Sequence, residues 1–180
     1  MITTTRQPLT GPRTWPAYAA AAWLVAFVGW HVPLSLGWNP LDGDGMTGAA
    51  FHTYNLTLIC MAGIGAVVVL ATVRPWGRRF PRWLLLTPLV VGSVLLVLRG
   101  VPGFVEFVLQ VTGVAPAGLV GLLDPDVAAP TGRELWAGYA INVYFFLGAV
   151  LLVPATYRFW RLDRGNAVAA TGSDRSLWES

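Results

Sequence analysis

The side chains of this sequence whose types and surroundings could do chemistry are His31, His52, Arg99, Glu106, Glu134, Asn55 and Asn142. All lie in or at the edge of long apolar runs, where a polar group is costly and normally faces a partner. A histidine and a carboxylate that meet within about 3 Å of one substrate atom form an acid–base pair. His31 with Glu106 or Glu134 is the candidate set for such catalysis. An arginine with free donors matches a carboxylate or phosphate bidentately, which makes Arg99 the candidate anion contact. His31 and His52 could ligate a metal or haem, yet their spacing fits no helix-borne histidine motif. The pair Asp42 and Asp44 resembles the start of a calcium loop but lacks the further ligands and the closing Glu. No metal and no cofactor is therefore expected. Cys60 is the only cysteine, which excludes an intrachain disulfide and a CxxC site; it reads as a small packing residue. Walker A, GxSxG, HExxH and Gly-rich dinucleotide motifs are absent, as are the regular arginines of a voltage sensor and the internal repeats of a transporter.

The elements that must position these residues follow from hydropathy. Of 180 residues, 55% are hydrophobic and only 12% charged, about half the charged share of an ordinary soluble domain. Mean hydropathy is +0.59. A bilayer core about 30 Å thick takes roughly 20 apolar residues in a helix, and four runs suffice, at about 15–36, 51–73, 83–101 and 134–160. Between the second and third stands Arg74-Pro75-Trp76-Gly77-Arg78-Arg79-Phe80-Pro81-Arg82. Short cytoplasmic loops carry the basic excess, so this hairpin reads as cytosolic. The count agrees: ten of the twelve arginines fall in the leader, the hairpin and the C-terminal region, leaving Arg99 and Arg133 on the other side among six carboxylates. Both termini are then cytoplasmic. A pI near 9.5 does not imply nucleic acid, because the arginines flank spans and form no stripe with interleaved aromatics.

The sequence thus predicts an all-α integral membrane four-helix bundle. Residues 1–14 read as a disordered leader and 165–180 as a disordered tail. Arg99-Gly100-Val101-Pro102 reads as the stop of the third span. Gly103 to Leu123, with Phe104, Phe107, Val108 and Val111 at helical spacing, reads as an extra amphipathic segment in the outer interface; a fifth span is the rival, disfavoured by the charge count. Small pairs Ala22/Ala26 and Ala62/Ala66 offer close-contact faces on the first two helices. The tryptophans, among them Trp15, Trp23, Trp30, Trp38, Trp76 and Trp136, read mostly as interfacial belt residues.

Depth follows from a rise of 1.5 Å per residue. His31, Arg99 and Asn142 each stand about 24 Å from the cytosolic flank of their helix, and Asn55 about 27 Å. Each helix places one strongly polar side chain in the outer quarter of the bilayer. Two readings remain open. The layer could line an outward-opening pocket in which Arg99 fixes an anion, His31, Asn55 and Asn142 hydrogen-bond it, and Trp30 covers it. Alternatively the amides are interhelical glue and Arg99 snorkels, with Glu106 or Glu134 as its carboxylate.

The stretch Val73 to Leu85 with its arginine hairpin, followed by Leu98-Arg99-Gly100, resembles a family of small four-span membrane proteins of high-G+C bacteria, a domain of unknown function. Also similar are the Ala-rich Trp23 helix with His31 and the aromatic-then-basic close of the fourth helix. The resemblance implies four helices and a plasma-membrane location, and carries over no activity. The expected function is a non-enzymatic accessory or binding protein for a lipid-like or small amphiphilic ligand or a partner helix. Membrane lipids, a membrane-protein partner or a second copy of the chain are the expected partners. The alternatives are an intramembrane acid–base enzyme, isomerase-like, and a purely structural subunit.

Overall fold

The computed structural model describes residues 14–38, 48–124 and 126–175, with side chains as far as residue 161. The leader, the Asp42/Asp44 loop and the last five residues lie outside the described residues. The chain is all-α. Helix α1 spans Trp15–Ser35, α2 Gly48–Ala71, α3 Arg82–Val111, α4 Gly118–Leu123 and α5 Gly132–Arg175, with a 3-10 turn at Pro75–Arg79. Four of these helices are long and apolar enough to cross a membrane: α1, α2, α3 and α5 as far as Arg161. No more than 28% of the most apolar window of any of them is buried within the protein. Most of their apolar surface therefore faces outward, as lipid-facing helices require.

The helices associate as two close pairs, α1 with α2 and α3 with α5, joined by α1 against α5 and more lightly by α2 against α3. The core follows from small residues. Ala17, Ala20, Ala21 and Leu24 of α1 are buried with Ala62, Ala66 and Val69 of α2. Ala62 and Ala66 thus form the expected close face, whereas Ala22 and Ala26 point outward and the neighbouring alanines take their place. Trp23 is also buried, not a belt residue.

The α3–α5 pair is antiparallel and close. Gly92 faces Leu152, Gly100 faces the Phe145 carbonyl and Gly103 faces Asn142. A Cβ at Gly100 would lie 2.7 Å from that carbonyl oxygen, so glycine there lets the backbones touch. Nearer the arginine hairpin the pair is pinned by Ser93 and Thr156, whose hydroxyls lie 3.0 Å apart in the core.

Two boundaries differ from those the sequence predicts. α3 does not stop at Pro102 but runs on for about two and a half turns to Val111. Proline removes one N–H and is tolerated where neighbouring helices support the backbone; Gly100 and Gly103 bring α5 alongside at this point. Thr112 caps the helix, and Gly113 at φ +73° takes the left-handed conformation that ends many helices. The amphipathic segment expected at Gly103 to Leu123 is therefore the distal part of α3 plus the one-turn-and-a-half α4. α5 likewise continues past Trp160 to Arg175; Gly165 is the only strong helix opponent before Gly172, and one glycine costs only about 1 kcal/mol.

Candidate functional site

Arg99 sits seventeen residues along α3 from Arg82, about 25 Å of rise. It therefore lies near the edge of the apolar layer at the end of the bundle opposite the arginine hairpin. Its side chain extends further toward that end, beside Gly103 one turn on. A Cβ at Gly103 would lie 2.5 Å from Arg99 Nη1 and 2.7 Å from Asn142 Oδ1. The missing side chain is the slot through which α3 and α5 exchange polar contacts.

In that slot Arg99 Nη1 donates to Asn142 Oδ1 at 3.1 Å. The other half of the amide, Asn142 Nδ2, donates to Glu106 Oε2 at 3.4 Å. The second oxygen, Glu106 Oε1, accepts from the backbone N–H of Leu119 at 3.4 Å. One carboxylate thus ties α3, α5 and α4 together. Gly118, at φ +71°, brings α4 so close that a Cβ there would collide with Glu106 Oε1. The Arg99 guanidinium also lies over the Phe145 ring, 5.1 Å from its centroid, a favourable cation–π placement.

Burial divides these groups. Asn142 is 5% exposed, Glu106 is half-buried and Arg99 is exposed. A guanidinium has five N–H donors, and Arg99 uses one of them on the described residues. The carboxylate that Arg99 was expected to hold directly is reached through Asn142 instead. Glu134 is not the partner: it is exposed in the first turn of α5, eight residues or about 12 Å of rise beyond Asn142.

The remaining polar side chains of the layer and its rim each meet a backbone carbonyl. His31 Nδ1 lies 2.9 Å from the Phe27 carbonyl one turn back; a carbonyl only accepts, so Nδ1 carries the proton. Its ring stacks on Phe27 at 4.0 Å between centroids. Asn55, 1% exposed, donates to the Phe51 carbonyl at 2.8 Å. His52 reaches across to the Ser35 carbonyl at 2.8 Å and fastens the start of α2 to the end of α1. Trp30 is 53% exposed and meets Trp38 edge-to-face at 6.1 Å, and among the described residues it makes no ring contact with His31 or Arg99. His31 connects to Arg99 only through rings, Phe27 on Phe145 at 6.0 Å and Phe145 under the guanidinium. The structure therefore joins Arg99, Asn142 and Glu106, and brings His31 to neither glutamate.

Sequence reasoning missed Phe145 and the Trp23–Tyr144 contact. Trp23 Nε1 donates to the Tyr144 carbonyl at 3.1 Å, and Tyr144 Oη donates back to the Trp23 carbonyl at 2.7 Å. Their rings stack at 4.8 Å. The available signal was the aromatic run Tyr144-Phe145-Phe146, too deep in α5 to be an interfacial belt. Among the described residues no group of three or more His, Cys, Asp or Glu could hold a metal ion. No family model, curated protein or solved structure matches the chain, so the geometry of the site carries the functional reading by itself.

Proposed function

We propose that this is a non-enzymatic plasma-membrane binding protein that holds the anionic group of a lipid-like amphiphile at Arg99. Both termini and the arginine hairpin face the cytosol in this reading, because ten of twelve arginines lie on that side and basic residues are retained there. Arg99 then opens toward the outer leaflet. The observation that carries the proposal is the state of its guanidinium. Asn142 and Phe145 fix its position while most of its donors stay unused on an exposed side chain. A phosphate or carboxylate at the headgroup level is the natural acceptor.

The test is lipid retention by purified protein, wild type against Arg99→Gln. The variant should lose co-purifying lipid while melting within a few degrees of wild type; equal retention removes the proposal. Orientation is tested separately with Arg78→Cys in a Cys60→Ala background. Arg78 is exposed, whereas the backbone of Gly77 is buried against Ala71. A membrane-impermeant maleimide should label this cysteine only after the cells are opened. Labelling of intact cells would invert the topology.

A further inference from the structure

Resting on that reading, we infer that the Arg99–Asn142–Glu106 triad selects a zwitterionic headgroup bearing a phosphate and a primary ammonium, a phosphoethanolamine lipid, over anionic and choline lipids. The triad holds one cation and one carboxylate, separated by the Asn142 amide, which contacts both. Their order along α3 matters. Glu106 is seven residues, about 10 Å of rise, further toward the membrane surface than Arg99. In a glycerophospholipid the phosphate is nearer the acyl chains and the ammonium further out. A phosphate on Arg99 therefore places the ammonium on the side of Glu106.

Glu106 can accept it. An ionised carboxylate offers about four acceptor positions, and each oxygen here receives one N–H. Leu119 and Asn142 hold the carboxylate in place, and it remains half-buried. A primary ammonium donates hydrogen bonds to this carboxylate; a choline trimethylammonium has none to give. A phosphatidylglycerol headgroup meets the same carboxylate with no positive charge. Without Glu106 the site would favour any phosphate; with it, net charge near zero is preferred.

The experiment uses the full-length protein, delipidated in detergent and titrated with phospholipids of identical acyl chains, read by native mass spectrometry. Wild type should hold phosphatidylethanolamine about tenfold more tightly than phosphatidylcholine or phosphatidylglycerol, the worth of one charge-assisted hydrogen bond. Affinity should fall stepwise through the mono- and dimethylated ethanolamine lipids. Glu106→Gln should abolish the preference while still binding phosphate lipids, and Arg99→Gln should lose all of them. Equal affinity of wild type for the three headgroups overturns the inference, as does an ethanolamine preference that survives Glu106→Gln. In either case loss of binding in Arg99→Gln would leave the anion site standing. The wild-type methylation series decides the matter should Glu106→Gln fail to fold.

Discussion

Two of the polar contacts that cross this bundle end differently. In mid-bundle, Trp23 of α1 and Tyr144 of α5 exchange side-chain donors for each other's carbonyls and stack their rings. Each side-chain donor has its acceptor, and a Cβ at the neighbouring Gly148 would run into the Trp23 ring. Nothing is left over. At the end opposite the arginine hairpin, Asn142 is equally enclosed, but it serves an exposed arginine whose other donors have no partner among the described residues. The first contact is closed and only holds helices together. The second is open at one side, and that opening distinguishes a site from a fastening. Polarity and depth alone would have treated them alike.

Substitutions that separate closed from open contacts break or sharpen this distinction. The largest effect is expected at Trp23→Ala, which removes a buried ring together with the Nε1 hydrogen bond of the clasp, leaving the Tyr144 hydroxyl its bond to the backbone carbonyl of residue 23. Unfolding titrations should show a loss of about 3 kcal/mol or more, with lipid preference unchanged in the protein that remains folded. Next, Gly100→Val forces a side chain against the Phe145 carbonyl. It should destabilise by about 1–3 kcal/mol and, by shifting Phe145, also weaken lipid retention. Gly103→Ala acts on the open contact alone. The added methyl must displace the Arg99 guanidinium or the Asn142 amide, so retained lipid should fall well before the melting temperature does. Smallest is Tyr144→Phe, which leaves the stack and deletes one interhelical hydrogen bond, worth about 0.6 kcal/mol in a membrane helix bundle. A large loss of lipid in Tyr144→Phe would show that the two contacts are one system.

The helices were legible because the signal for a span is length, and the four apolar runs are long. The shared level of the polar side chains was legible for the same reason, since depth is a count of residues. Rotation about each helix was not. Arg99 and Asn142 point at each other, whereas His31 and Asn55 at the same level bond to their own helices, and no count along one chain separates these cases. The end of α3 was misread because glycine and proline punctuate isolated helices. At Gly100 and Gly103 they mark where α5 approaches instead, and that partner is distant in sequence. Ala22/Ala26 and Ala62/Ala66 have the same pattern with opposite outcomes, because any alanine-rich helix offers several small faces and only the neighbour chooses among them.

A binding role requires that Arg99 keep its donors for something other than protein. A structure determined in native lipid tests this most directly. Phosphate density within hydrogen-bond distance of the Arg99 guanidinium, with Asn142 still bridging to Glu106, is the predicted result. An Arg99 whose remaining N–H groups are all taken up by carbonyls or side chains of the protein would contradict it.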